Sequence, residues 1–280
     1  MSCGFLYVAT GKAYLAEAMR SARSLRSAMP SARIALITDC PAGTETTALF
    51  DSVIAHPAPS HGPGDKLVCG TLSPYERTVF LDTDTLVQSD LSPLFDVLEH
   101  HDLAAAPETM RGWHYRLPDL PDAFPEYNTG VIAFRSSPRT AAFFSAWALS
   151  YQTLALTHRF KTDQPSFRHA AFFGDARIAP LPSEFHFIAF TPNYVMWRTH
   201  LLHGREDLER LAQVINAHPS PRAYVPGLGT LAAYQGRRHW LRQGLRLLKS
   251  WTRTFLYPPK AQSHGIPDHW SAKDGSPPRP

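Results

Sequence analysis

Cysteine is scarce in this chain: three in 280 residues, at Cys3, Cys40 and Cys69. They are odd in number, scattered, and without a Cys-x-x-Cys or Cys/His ligand spacing, which argues against a disulfide framework and against a structural zinc site. A reducing compartment is the expectation. No apolar run approaches the roughly 20 residues that span a bilayer. A charged n-region followed by a long apolar h-region is also missing, because residues 5–9 already read as a core strand. The chain is therefore expected in the cytoplasm. It contains no internal repeat. Acidic residues are absent between Glu209 and Asp268, where Arg222, Arg237, Arg238, Arg242, Arg246, Lys249, Arg253 and Lys260 gather, so the net charge of +4 hides a strongly basic C-terminal segment. Such asymmetry points to an anionic partner. No nucleic-acid recognition motif accompanies the charge, which favours a membrane surface over nucleic acid.

What is present is a globular core, with an ordinary apolar fraction of 44%. Phe5 to Thr10 reads as a strand, Ala13 to Ala28 as a helix with Leu15, Ala18, Met19, Ala22 and Leu25 at helical spacing, and Arg33 to Thr38 as a second strand. A short Thr/Ala-rich helix and a third strand at Val53 to Ala55 complete a β-α-β order. Asp65 is placed to cap a helix that runs to Leu72. Leu103 to Ala106 and Val131 to Phe134 read as strands, and Pro107 to Pro125 as a long irregular loop of the kind that shapes a site. Helices are expected at Thr140 to Leu156, from Asp163, and at Glu206 to Ile215. Thr199 to His203 is the last expected strand. From Leu231 to Leu256 a helical projection sets Trp240, Leu241, Leu245, Leu248, Trp251, Phe255 and Leu256 opposite Arg238, Arg242, Arg246, Lys249 and Arg253. The expected organisation is a catalytic domain over 1–218, a basic amphipathic helical extension over 219–256, and a disordered Pro/Gly/Lys-rich tail over 257–280.

The strand Thr78-Val79-Phe80-Leu81 ends in Asp82-Thr83-Asp84. In extended chain residues two apart point to the same side, so both carboxylates can face one hard divalent cation. An Asp-x-Asp pair arises by chance about once in a chain of this aspartate content. Its place at the end of an apolar strand, where open α/β sheets keep their ligand crevice, is the more specific signal. A later histidine can complete such a site, and one imidazole among oxygens favours manganese over magnesium or calcium. His200 and His203 would lie on opposite faces of a strand. His203, at the end of that strand beside a glycine, is favoured, with His200 as the alternative.

Lys66, Asp82-Thr83-Asp84, Asn128-Thr129-Gly130, Asp163-Gln164 and His203-Gly204-Arg205 follow one another in a fixed order. With the opening strand-turn-helix at Tyr7 to Tyr14 and the phrase Ser73-Pro74-Tyr75, this order resembles the retaining GT-A glycosyltransferases of family eight, the group containing glycogenin and bacterial lipooligosaccharide galactosyltransferases. The resemblance spans Phe5 to Arg205. It implies a Rossmann-like nucleotide-diphospho-sugar transferase fold with a mostly parallel central sheet, and a nucleotide-sugar donor, UDP-linked, with a saccharide or lipid-linked glycan as acceptor. It implies that Asp82, Asp84 and His203 hold manganese or magnesium, with Asp82 also near the ribose and Thr83 among the residues that bind the donor. Ala9, Thr10 and Tyr14 would frame base and ribose, Asn128 and Gly130 the donor sugar. Asp163 and Gln164 would lie at the reacting centre. The family's Lys-Pro-Trp after the histidine and glycine is missing here, which leaves Gly204 and Arg205 as the nearest phosphate contacts. Glutamine cannot serve as a base, so Gln164 fits retention. Lys66 is read either as a partner of phosphate or sugar or as a solvated lysine. The strongest rival is a haloacid-dehalogenase-like phosphatase with Asp82 as nucleophile. Against it, that motif normally opens its fold, and Asp119 and Asp122, in a proline-rich loop, make poor candidates for the rest of its magnesium site.

Overall fold

Strands apolar on both faces belong inside a parallel sheet flanked by helices, and the first half of the chain is written that way. In a computed structural model, which describes residues 2–108, 117, 119–158, 162–217 and 220–232, it alternates β1 (Cys3–Ala9), α1 (Lys12–Ala28), β2 (Ile34–Thr38), α2 (Thr44–Leu49) and β3 (Ser52–Ala55). A 3-10 helix (Pro63–Val68) and the short α3 (Cys69–Leu72) precede β4 (Arg77–Leu81). There follow β5 (Thr85–Val87), α4 (Pro93–Val97), β6 (Leu103–Pro107), β7 (Tyr127–Arg135), α5 (Pro138–His158), α6 (Gln164–Phe173) and β8 (Ile178–Pro180). The chain continues through β9 (Phe187–Ile188), β10 (Asn193–Val195), β11 (Leu201–His203), α7 (Leu208–Asn216), β12 (Arg222–Val225) and β13 (Gly229–Ala232).

Seven strands form the main sheet in the order β3-β2-β1-β4-β7-β6-β8, with β7 antiparallel to both its neighbours and every other pairing parallel. One core lies where α1 meets Phe5, Leu36, Val79 and Leu81. The opposite face carries Phe80, Ile132 and Phe134 against Phe143, Phe144, Trp147 and Phe167 of α5 and α6. β4 is central, so its C-terminal end opens at mid-sheet. The ladder runs into the acidic motif, because the Asp82 N–H donates to the Gly130 carbonyl at 2.8 Å.

The second half folds back over that edge. β5 lies between the motif and a small sheet, β5-β11-β9, in which antiparallel pairing sets His203 opposite Thr85. The Gly204 N–H donates to the Asp84 carbonyl at 3.0 Å. Backbone pairing therefore carries a histidine from over a hundred residues downstream to the acids.

Several expectations change. The strand expected at Val131 to Phe134 begins earlier, so that Asn128, Thr129 and Gly130 lie within β7, where the register against β6 shifts between Ala105 and Ala106. The expected helix from Asp65 divides in two, and Asp65 sits inside its first turn rather than capping it. Thr199 to His203 is not the last strand: β12 and β13 form an antiparallel hairpin, joined to β10, inside the stretch expected to begin a helical extension. Residues 233–280, with the rest of that extension and the expected tail, lie outside the described residues, as do 109–116 of the long loop. Among the described residues no helix is long and apolar enough to cross a membrane.

Candidate active site

Asp82, Asp84 and His203 each offer one ligand atom, and these lie within 4.8 Å of one another. The His203 Nε2 is 3.3 Å from Asp84 Oδ1 and 3.8 Å from Asp82 Oδ2. Room for the ring comes from Gly130, where any Cβ would collide with the imidazole. His200 faces elsewhere: it stacks on Phe185 at 4.4 Å, and its Nδ1 sits 2.9 Å from Ser89 Oγ and 2.7 Å from the Asp90 carbonyl. Burial alone would raise the Asp84 carboxyl, but the His203 hydrogen bond and charge, with Arg205, hold it well below the usual range. Burial raises Asp82 in spite of Lys66 and His203. His203 is pulled up by Asp84 and Asp82 against the burial that would lower it. Two carboxylates and one imidazole facing a common point are a fitting donor set for a small divalent ion.

Lys66 is no solvated lysine. Its side chain is 12% exposed, and Nζ lies 2.9 Å from Asp82 Oδ1 and 3.7 Å from Asp163 Oδ1. Burial would lower its pKa, but the charges of Asp163 and Asp82 more than reverse that. Asp163 occupies the N-cap position of α6 without making the capping bond. Its carbonyl instead accepts from the Trp147 indole at 3.2 Å, which ties the site to the aromatic core. Its Oδ2 is buried with no hydrogen-bond partner, a costly arrangement unless a ligand completes it.

Gln164 is anchored by a residue that the sequence reading missed. Glu108, just past β6, accepts from Gln164 Nε2 at 3.3 Å and from Asn128 Nδ2 at 2.9 Å. Asn128 Oδ1 in turn accepts from the Gly130 N–H at 2.9 Å. An acid following proline at the end of an apolar strand was the available signal, and without its neighbours it looks like any loop glutamate.

The other end of the cleft is built from the β1-α1 turn. Ala9 ends β1, and Thr10 Oγ1 donates to Asp65 Oδ2 at 2.6 Å. Gly11, at φ 81°, gives its N–H to Asp39 Oδ1 at 2.8 Å. Thr83 Oγ1 donates to Glu17 Oε2 at 2.9 Å. Arg205 reaches Asp84 at 3.4 Å and Glu17 at 3.8 Å, with its guanidinium 5.8 Å from the Tyr14 ring centre. Gly204 has φ 146°, a conformation reserved for glycine. A cavity of about 300 Å³ runs past Thr10, Tyr14, Lys66, Asp82, Asp84 and Asp163. Of the residues proposed from sequence, Thr10, Tyr14, Lys66, Asp82, Thr83, Asp84, Asp163 and Arg205 line this cavity, while Asp39, Glu17 and Glu108 are additions from the structure.

Residues 77–203 match the nucleotide-diphospho-sugar transferase family, a stretch that runs from β4 to His203. The fold is that of the GT-A nucleotide-diphospho-sugar transferases, and the chain resembles the family-eight enzymes among them. Rabbit (Oryctolagus cuniculus) glycogenin-1 is 31% identical over 156 residues, covering 49% of this chain and 42% of that protein. Human glycogenin-2 is 43% identical over 75 residues, 27% of this chain and 12% of that protein. The chain thus spans less than half the length of these relatives. The galactosyltransferase LgtC, solved with donor and acceptor sugar analogues, superposes with a TM-score of 0.56 at 17% identity, over 73% of this chain and 87% of its own. The phosphatase alternative finds no support here: β4 is the fourth strand rather than the first, and Asp119 pairs with His169 at 3.2 Å.

Proposed function

We propose that this protein transfers a sugar, with retention, from a UDP-sugar to a saccharide or lipid-linked glycan acceptor, using a manganese ion held by Asp82, Asp84 and His203. The observation that carries this reading is the convergence of those three side chains at the edge of a cleft that runs to the β1-α1 turn. A bound divalent ion supplies Lewis-acid stabilisation of the departing diphosphate, worth several kcal/mol. The chain's own residues do the rest. Thr10 and Tyr14 bound the nucleoside end. Lys66 adds a fixed positive charge beside Asp82 that does not titrate near neutrality. Asp163 Oδ2 is a vacant acceptor for a sugar hydroxyl. Glu108 fixes the amides of Asn128 and Gln164, so Gln164 can present its carbonyl oxygen to the reacting sugar without serving as a base. The leaving phosphate then takes the acceptor's proton.

Calorimetry of UDP with and without manganese, beside an assay of donor hydrolysis, tests the reading. UDP should bind more tightly with manganese, and Asp84→Ala should lose that gain together with more than about a hundredfold in rate, about 2.7 kcal/mol. Full manganese-dependent activity in Asp84→Ala would refute the metal assignment.

A further inference from the structure

His203 uses one ring nitrogen toward the acids and must place the other somewhere. Its Nδ1 lies 3.0 Å from Nε2 of His186, just ahead of β9. His186 is 1% exposed, its ring 5.1 Å from that of His203, and its own Nδ1 is buried without a hydrogen-bond partner. If His203 offers the Nε2 lone pair to an ion, its Nδ1 carries the proton and His186 Nε2 must accept it. A neutral imidazole that accepts at Nε2 carries its proton on Nδ1, the very atom left unpaired. That unpaired donor is a standing cost, and the arrangement it secures is a single tautomer and ring orientation for His203.

We propose that His186 is a positioning residue for the ion site, holding His203 by an imidazole-imidazole hydrogen bond that keeps His203 Nε2 free and aimed at Asp84 and Asp82. This rests on the metal reading above. The partner of a metal-bound histidine is more often a carboxylate or a carbonyl.

Manganese affinity in the presence of UDP, measured by calorimetry, separates the outcomes. His186→Leu, which removes the acceptor, should weaken manganese binding by about 10- to 100-fold, as loss of such a partner typically does. His186→Gln, whose side-chain carbonyl can accept the same bond, should restore most of it. Nitrogen NMR of the wild-type protein with magnesium and UDP gives a reading that needs no variant: His186 should show a protonated Nδ1 and a bare Nε2. A folded His186→Leu variant with wild-type manganese affinity, or a His186 protonated at Nε2, overturns the proposal. Should the wild-type protein bind no manganese with UDP, the metal reading falls and this proposal with it.

Discussion

At the scale of single residues, Gly130 decides where the His203 ring can stand. A Cβ there enters the His203 ring, and the ring is held by Asp84 on one side and His186 on the other. Gly130→Ala should therefore weaken manganese binding as well as the fold. Overpacking costs about 1–3 kcal/mol, a drop of several degrees in melting temperature. Calorimetry with UDP and manganese should show at least a tenfold loss of affinity, and an unchanged affinity would mean that the ring relaxes freely. Glu108 makes a second case. Asn128 Nδ2 and Gln164 Nε2 both donate to Glu108 Oε2, so Glu108→Leu removes the acceptor of both and releases the two amides. Turnover should fall by more than about tenfold while UDP affinity, set at the far end of the cleft, stays within a few fold. Asp82, Asp84 and Gln164 were legible in the sequence because each stands in a motif with fixed neighbours. Glu108 and His186 were not: their partners are 20 and 56, and 17, residues away, and only the folded sheet brings them together.

Among elements, the alternation of apolar strands with helices up to β4 could be read directly, since strands buried on both faces leave continuous apolar runs. The later strands are only two to four residues long, too short for any periodicity, which is why the β12-β13 hairpin went unseen. Asn and Gly are residue types that favour turns, yet at Asn128 and Gly130 pairing with β4 and β6 overrides that local preference. The distal edge of the main sheet depends on Asp102. Buried to 1% exposure, it accepts from Arg135 of β7 at 2.6 Å, from Arg139 of α5 at 3.1 Å and from the Arg177 N–H ahead of β8 at 2.9 Å. Burial would raise its carboxyl, but the Arg177 N–H and the guanidinium groups hold it well below the usual range. A carboxyl depressed in the folded state contributes stability above its unfolded pKa, and loses it as pH falls through the folded value. Asp102→Asn should thus cost about 2 kcal/mol at pH 7 in urea unfolding, and the gap from wild type should narrow as pH drops from about 5 toward 2. A gap that stays constant across that range would assign the cost to packing instead.

The whole molecule is asymmetric in charge, and that asymmetry lies in sequence outside the described residues, where Arg238, Arg242, Arg246, Lys249 and Arg253 face an apolar stripe with Trp240, Leu248 and Trp251 in helical projection. We propose that this segment carries the enzyme to the inner, anionic face of a membrane, where a lipid-linked acceptor would be presented. Each cation near such a surface contributes about 1 kcal/mol, and the attraction fades within a Debye length. Three removed charges should then weaken binding by about 3 kcal/mol, a little over a hundredfold. The full chain should co-sediment with phosphatidylserine-rich vesicles, ignore purely phosphatidylcholine vesicles, and release as salt rises. The triple variant Arg238→Gln, Arg242→Gln, Arg246→Gln should stay in the supernatant while hydrolysing donor at the wild-type rate, because every residue assigned to donor, ion or reacting centre precedes Glu206 in the sequence. If that variant sediments as the wild type does, the stripe packs against protein rather than lipid, and the acceptor must reach Gln164 from solution.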